Sequence, residues 1–379
     1  MKKTAFALAA LGLIASTAAQ AQSSVTIYGI VDTAISYSSS VSRGTTPGSN
    51  GSRFGMESGA LSSSRIGFKG TEDLGGGLKA LFVLENGFNS DTGAMGSAAT
   101  IFDRKSVVGL SGGFGTVTVG RQADYLDDIG SKYTSAQAFG QNGQKGAHAN
   151  NLDRTSTGRN DNSVRYDTNN MGGFVGSLYY SFGEVAGKTS AGQGFGIGGS
   201  YSNGPFSIGG AYFQTKLSAA QITPAAAAGD TNLKTFTIGS SYQFGPAKLF
   251  GAWSQGKRPV VANQTAVLPS VSTARKANIF DLGVDYSLTQ NLHLLGSVIH
   301  SRMDFNRVAG STLKTSGKTT QFNLGVDYFL SKRTDVYALY SNLRAKDVVN
   351  PGVINNAGDF GPFDDSSQNV LRVGVRHKF

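Results

Sequence analysis

The segment that decides the fold is Asn369–Phe379, which reads NVLRVGVRHKF. From residue 370 onward its even positions carry Val, Arg, Gly, Arg and Lys, and its odd positions carry Leu, Val, Val, His and Phe. A period of two predicts a β-strand, here with one apolar and one positively charged face. Chain ends are ordinarily frayed and polar. A strand that keeps its alternation to a final aromatic residue is therefore expected to pair along its whole length.

The opposite end of the chain carries an export signal. Residues 1–21 combine a charged start, Lys2 and Lys3, with an uninterrupted apolar stretch from Ala5 to Ala15 and an A-x-A site that ends at Ala21. This pattern predicts a secretory signal peptide cleaved after Ala21. The alternative, an N-terminal anchor helix, is disfavoured because a membrane-spanning helix needs roughly 20 apolar residues. The predicted domains are a signal peptide, 1–21, and one mature domain, 22–379.

The composition excludes several classes of site. The chain has no cysteine, so it offers neither a disulfide framework nor a thiolate metal site. It is rich in glycine, with 52 residues, and carries 23 Phe and 14 Tyr although charged residues make up 15%. The net charge of +10 is spread over single positions rather than dense basic runs. We therefore expect no nucleic-acid partner.

Alternation with a period of two recurs along the whole mature chain. An example is FDLGVDYSL, residues 280–288, in which Phe, Leu, Val, Tyr and Leu alternate with residues that include two aspartates. Sixteen such segments are separated by seven short turns and eight long polar loops. Isolated charges of one parity suit a sheet with one face on lipid and the other on water. The pattern predicts an all-β fold, a 16-stranded antiparallel transmembrane β-barrel.

A barrel in a bilayer must close, because each unpaired backbone group in hydrocarbon costs several kcal/mol. We expect the last strand to pair with the first, with Arg372 and Arg376 facing the lumen and Phe379 facing lipid at the interface. We also expect the barrel-assembly machinery of the outer membrane to recognise Phe379. A barrel of sixteen strands is too wide for side chains to fill, so it must hold water or a plug.

No catalytic or cofactor motif stands in a suitable context. Residues 194–199 match G-x-G-x-x-G. A dinucleotide site requires a strand before this motif and a helix after it, and neither is predicted here. The four histidines fall in no triad or metal-binding motif, and His293 and His300 have opposite parity. We predict no enzyme activity, no cofactor and no metal site.

The loop Arg121–Asn162 is the longest connection and has an acidic start, Asp124, Asp127 and Asp128. Loops of this length are commonly functional or disordered. One interpretation is a solvated surface loop whose charges have no special role. The other is a loop folded into the lumen, with its carboxylates opposite basic residues of the wall. The wall residues expected there are Arg65, Lys69, Arg104 and Arg165.

Several stretches together resemble the Gram-negative general porin family in its β-proteobacterial form. They are SSVTIYGIVD at 23–32, SRIGFKGTEDLGGGLKALFVLENGF at 64–88, VVGLSGGFGTVTVGRQ at 107–122, NSVRYDT at 162–168 and the terminal HKF. The resemblance implies three barrels per homotrimer and a third loop that folds inward to narrow the channel. It also implies that Arg65, Arg104 and Arg165 line the constriction, faced by Asp124, Asp127 and Asp128. Lys105 lies beside Arg104, and the sequence leaves open which of the two points inward.

The expected function is an outer-membrane general diffusion porin, a multi-pass protein that passes small hydrophilic solutes and ions. Rings of Arg and Lys favour anions and rings of Asp and Glu favour cations. Because the wall cations outnumber the loop acids, we predict weak anion preference. The expected surroundings are outer-membrane lipid and lipopolysaccharide. Two alternatives stay open at this point, a substrate-specific outer-membrane channel and a barrel-based adhesin or enzyme.

Overall fold

The structure is a computed structural model that describes residues 24–42, 50–140, 159–216, 232–257, 275–305, 315–347 and 367–379. The predicted signal peptide lies outside these ranges, as do residues 141–158 of the longest loop. No helix within the described ranges is long and apolar enough to cross a membrane.

Strands dominate the described chain, with two short helices in the longest loop. The elements are β1 (Ser24–Ser42), β2 (Asn50–Ser58), β3 (Arg65–Gly75), β4 (Leu78–Gly87), β5 (Lys105–Gly112), β6 (Gly115–Gln122), α1 (Tyr125–Tyr133), α2 (Ala136–Phe139), β7 (Asn160–Asp167), β8 (Phe174–Ser181), β9 (Gly194–Asn203), β10 (Phe206–Lys216), β11 (Asn232–Phe244), β12 (Ala247–Lys257), β13 (Lys276–Ser287), β14 (Leu292–Asp304), β15 (Ser316–Phe329), β16 (Thr334–Lys346) and β17 (Ser367–Lys378).

The sheet closes on itself through its first and last strands. Strand β17 pairs antiparallel with β1, from Ile30 opposite Lys378 to Ser38 opposite Val370. Beyond β17, the backbone N–H of Phe379 donates to the carbonyl oxygen of Gly29 and the Gly29 N–H donates to that of Phe379, both at 3.1 Å. Both the N–H and the carbonyl group of the last residue are thus hydrogen-bonded to β1. The closing strand predicted from NVLRVGVRHKF is confirmed.

The seventeen strand segments make up sixteen strands of the barrel, because β2 and β3 pair with successive parts of the same edge of β1. Residues 24–30 of β1 pair with β3, and residues 33–42 pair with β2. The sixteen-strand prediction is confirmed, but the second strand, expected to be centred near residue 63, is interrupted at 59–64. Gly59 begins the break with a φ of 68°. Asp32 holds it, because its Oδ2 accepts hydrogen bonds from the backbone N–H groups of Leu61 and Ser62.

The two faces of the wall differ as the alternation predicts. On β13, Phe280 and Leu282 are 49% and 61% exposed, whereas Asp281 between them is 6% exposed. On β17, Leu371, Val373 and Val375 are likewise exposed. The exposed apolar side chains form the outer band, which meets lipid. The opposite face carries the small and polar side chains and is called the inner face below.

Candidate functional site

The described start of the longest loop forms α1, a helix that the sequence pattern did not predict. Asp124 caps it, since its Oδ1 accepts a hydrogen bond from the Leu126 N–H at 2.8 Å. Asp127 and Asp128 lie in the first turn and Lys132 in the last, each at the end that suits the helix dipole. An acidic N-cap followed by two acids, with a lysine near the other end, is the sequence signal from which this helix could have been predicted.

Helix α1 packs on the inner face of strands β9 to β12. Tyr125 lies directly over Gly198, and Tyr133 lies over Gly239, so closely that a Cβ at either glycine would overlap the tyrosine side chain. The Tyr133 hydroxyl is 2.7 Å from the Ser207 Oγ. The glycines at 194–199 that resemble a dinucleotide motif therefore lie on a barrel strand, and Gly198 receives an aromatic ring.

The segment after α1 runs on along the inner face to the strands on the other side of the barrel. Ser135 donates from its N–H to Asp281 Oδ2 at 2.8 Å and from its Oγ to Oδ1 at 2.5 Å, both buried. Phe139 of α2 is buried in a cluster with Leu295, Leu339 and Leu61. Leu61 belongs to the break between β2 and β3. Residues 123–140 thus contact the inner face from β9 to that break.

Two of the predicted wall arginines share one carboxylate. Arg104 Nε donates to Glu85 Oε1 at 2.7 Å, and Arg65 Nη1 lies 3.9 Å from the same oxygen. The Tyr28 hydroxyl donates to Glu85 Oε2 at 2.9 Å. Lys69 lies on β3 four residues after Arg65, nearer the short turns, with its ammonium over the Tyr28 ring at 5.3 Å. The sequence analysis did not identify Glu85 as a member of this group.

Both candidates at the start of β5 point inward. Arg104 contacts Glu85, and Lys105 interacts electrostatically with Arg165 and Asp128. The alternative left open by the sequence thus ends with two inward cations rather than one. The reason is that Arg104 precedes the first residue of β5, so strand alternation does not fix the direction of its side chain.

Arg159 is a further cation of this group that the sequence analysis missed. It directly precedes β7 and interacts electrostatically with Arg104, Asp127 and Glu85. Desolvation, together with Arg104, lowers the pKa of Arg159 to about 10, which leaves the guanidinium charged at neutral pH. It lies at the end of a long polar loop, where neither strand parity nor a motif could place it.

Arg165 joins the wall to the loop. Its Nη2 donates to Asp128 Oδ2 at 2.6 Å, and its Nε lies 2.9 Å from Asp167 Oδ2. Its guanidinium carbon lies over the Tyr125 ring at 5.5 Å. Desolvation raises the pKa of the Asp128 carboxyl, while the charge of Arg165 acts in the opposite direction. Asp128 and Arg165 therefore meet side by side in a direct ion pair.

The three loop acids have different positions. Asp124 is 1% exposed and caps α1, so it does not present a charge to water as a constriction residue would. The sequence pattern did not predict the helix whose N-terminus this carboxylate caps. Asp127 is half-buried and interacts with Arg159, and Asp128 is exposed beside Arg165.

The residues predicted on the closing strand also have defined partners. Arg372 lies on the inner face, where its Nε donates to Glu57 Oε2 at 2.7 Å in a buried pair. Arg376 Nε contacts Asp335 at 3.1 Å, and its Nη1 donates to Ser62 of the break at 2.8 Å. Phe379 is 43% exposed on the outer band, with its ring over Gly29.

Comparison with known proteins agrees with this architecture. A family model described as Gram-negative porin matches residues 6–348. The chain is 34% identical to outer membrane porin protein 32 of Delftia acidovorans over 389 residues, which cover 100% of both chains. It is also 41% identical to an outer membrane porin protein of Bordetella pertussis over 191 residues, 48% of each chain.

Solved structures share the fold. An anion-selective porin from Comamonas acidovorans, 30% identical, superposes with a TM-score of 0.75 over 94% of this chain and 100% of that one. OmpT of Vibrio cholerae, in its trimer form, is 17% identical and has a TM-score of 0.64 over 94% and 99%. The closed barrel and the full-length match lead to one conclusion: this outer-membrane protein belongs to the Gram-negative porin family and functions as a general diffusion porin.

Proposed function

We propose that this porin lets small hydrophilic solutes and ions diffuse passively with a weak preference for anions, and that it makes and breaks no bond. One observation carries the anion preference. The constriction group is defined here as Arg65, Glu85, Arg104, Lys105, Asp124, Asp127, Asp128, Arg159, Arg165 and Asp167. Its acids are engaged by arginines or by a helix end, whereas two lysines of the inner face and one of α1 contact neutral partners. Uncompensated positive charge along a water-filled path favours anions.

The three lysines are Lys69, Lys132 and Lys248. Lys69 lies over the Tyr28 ring. Lys132 Nζ donates to the Ser202 Oγ at 3.1 Å, and Lys248 Nζ donates to Gln137 Oε1 at 2.6 Å. Hydroxyl and ring partners leave the positive charges of Lys69 and Lys132 intact, so both ammonium groups attract anions. Asp285, which lies opposite Lys248 in the strand register, offsets part of the charge of Lys248.

The carboxylates of the constriction group are compensated instead. Glu85 binds Arg104, Asp128 and Asp167 bind Arg165, and Asp127 interacts with Arg159. Cations and acids of this group are close to balance, which is why the proposed preference is weak. We further propose that α1 and α2, lying on the inner face, narrow the lumen and set its size limit.

Planar-bilayer recordings of the processed protein, residues 22–379, under a KCl gradient test this proposal. We expect stepwise conductance with a reversal potential of the sign that chloride permeation gives. The variant K69Q/K132Q/K248Q should move that potential towards zero. The variant R302Q/K318Q/K346Q removes equal charge from exposed side chains that share the parity of the outer-band residues Leu294, Phe322 and Tyr340, and it should leave the potential unchanged. A potassium-sign potential in the wild type, or equal shifts in both variants, would refute anion control by the inner lysines.

We propose that the protein is a homotrimer, as membership of the porin family implies. A heat-sensitive band of high apparent mass on a denaturing gel is the expected sign. A monomer mass by light scattering in mild detergent would contradict it.

We also propose that residues 1–21 are removed on export and that the assembly machinery reads Phe379. Edman sequencing of the mature protein should start at Gln22. Deletion of Phe379 also removes two backbone hydrogen bonds to Gly29, so recognition needs a variant that keeps them. F379S keeps the backbone pairing and should insert poorly in cells but fold normally in detergent. Normal insertion of F379S would rule out recognition of the ring.

A further inference from the structure

Two aspartates meet on the inner face of neighbouring strands, near the short-turn end of the barrel. Asp327 lies near the end of β15 and Asp335 near the start of β16, and their carboxyl groups are within hydrogen-bonding range of each other. Both are buried, with exposed fractions of 6% and 1%. No donor among the described residues reaches Asp327 Oδ1. Ionised carboxylates only accept hydrogen bonds, so a contact between the two groups needs a proton.

One guanidinium serves both carboxylates. Arg376 Nε lies 3.1 Å from each carboxylate oxygen of Asp335, and Arg376 Nη2 lies 3.6 Å from Asp327 Oδ2. If both aspartates were ionised, the three side chains would carry one negative charge in excess. An unmatched charge in a buried site is strongly disfavoured, and two carboxyl groups in contact share a proton for that reason.

His293 of β14 is the other titratable group beside the pair. It lies opposite Asp327 in the strand register, and its Nδ1 is 2.7 Å from Asp285 Oδ1. Asp285 is also opposite Lys248, so it has a cationic neighbour without an imidazolium. A proton on His293 would leave two acceptor groups in contact at Asp327 and Asp335. The carboxyl contact therefore favours a proton on the aspartates.

The strands that close the barrel add two further charged groups. Lys378 of β17 interacts electrostatically with both aspartates but forms no ion pair with them in the described part of the chain. Asp32 of β1 accepts a hydrogen bond from the Tyr337 hydroxyl and interacts with Arg376. One more acid and one more cation leave the balance unchanged. The aspartate pair is still one negative charge in excess unless it holds a proton.

We propose that Asp327 and Asp335 share one proton at neutral pH and release it as pH rises. The proton supplies the hydrogen of the carboxyl contact and leaves one negative charge for Arg376. Its release adds a negative charge to the inner face, so chloride permeation should fall relative to potassium permeation in alkaline solution. The inference requires an open channel but not the proposed anion preference, because it concerns a change in the permeability ratio.

The infrared C=O band of protonated carboxyl groups tests the shared proton directly. Ordinary aspartates are ionised at neutral pH and do not contribute to this band. We expect the wild type in detergent to show the band at neutral pH and to lose intensity up to a pH of about 9, below the range in which lysine and tyrosine titrate. D327N and D335N should each lack that intensity, because the remaining carboxylate then has an amide NH2 and Arg376 as partners. The matched variant D285N should keep it.

Reversal potentials of the same proteins under a KCl gradient follow the charge. For a pair about 12 Å from a permeating ion, release of the proton should lower the chloride-to-potassium permeability ratio about twofold in about 0.01 M salt. D327N and D335N should keep the neutral-pH ratio in alkaline solution. H293Q should respond to alkali like the wild type.

Three results would overturn the inference. Equal band intensity in D327N and the wild type would mean that Asp327 holds no proton, and a band that survives in D335N would show that Asp327 does not share one. An alkaline response that disappears in H293Q but persists in D327N would assign it to the imidazole. Unchanged heat-dependent gel mobility shows that the variants are folded, and titration of the wild type needs no variant. The infrared result does not depend on conductance, so it is decided separately from the proposed function.

Discussion

The carboxylate of Glu85 offers the sharpest test of how this porin selects ions. It is the shared partner of Arg65 and Arg104, and its side chain is 13% exposed. The substitution E85Q removes one negative charge. With the amide oxygen in the place of Oε1 it still accepts from Arg104, and the amide NH2 in the place of Oε2 donates to the Tyr28 hydroxyl oxygen. The aperture should therefore keep its shape while its charge rises by one.

The size of the effect follows from Coulomb's law. At about 8 Å from an ion in a water-filled lumen, one charge contributes about 0.5 kcal/mol. Screening reduces this to about 0.4 kcal/mol in 0.01 M salt and about 0.2 kcal/mol in 0.1 M. Since anions gain what cations lose, the chloride-to-potassium permeability ratio should rise about fourfold at the lower concentration and about twofold at the higher one.

Reversal potentials in planar bilayers at both concentrations measure this ratio. The control is E72Q, which removes an exposed acid of β3 near the short-turn end. An unchanged ratio in E85Q, or a change that does not shrink with salt, would refute electrostatic control by this carboxylate. An equal change in E72Q would show that the charge acts without regard to its position.

Three further predictions concern the loop. Because the pKa of Asp128 is raised, acidification neutralises this carboxylate before ordinary aspartates, so anion preference should increase as pH falls. D128N should show the increased anion preference already at neutral pH. In reversal-potential titrations, D128N should also lose this part of the pH response. D281A leaves the buried Ser135 N–H without its acceptor, at a cost of about 1 to 3 kcal/mol, and should give noisier single-channel current, whereas a quiet channel would argue against an anchoring role. G239V places a side chain where Tyr133 packs and should displace α1 and change the conductance. The comparison is G113A, in the turn between β5 and β6, where the added Cβ meets open space.

The barrel was predictable because alternation is a local signal. The residues of each strand, such as Phe280 and Asp281, show which face meets lipid and which meets the lumen. Closure follows because the bilayer does not tolerate unpaired backbone groups at a sheet edge. The interruption at 59–64 was not predictable, since it depends on Asp32, a residue about thirty positions earlier whose carboxylate captures two backbone N–H groups. No feature of residues 59–64 alone reveals that contact.

The constriction group was predicted only in part, for a related reason. Arg65 and Arg165 were found by parity on regular strands. Glu85 has the same parity but was not recognised, because nothing in the sequence shows that it lies between two arginines. Arg159 lies at a loop end, and the cap position of Asp124 was not predicted because the short helix was not recognised. Side chains on regular strands are predictable one by one, whereas their pairings are not.

The loop is fixed to the inner face at several points along its described part. Near one end Tyr125 and Tyr133 lie over glycines of β9 and β11, in the middle Ser135 binds Asp281, and at the far end Phe139 packs against Leu61. Leu61 is in turn held by Asp32. None of these contacts involves Glu85 or Asp127, although Arg165 of the wall also lies over the Tyr125 ring. Glu85 is therefore not among the residues that hold the loop, and so E85Q can change ion preference without moving it.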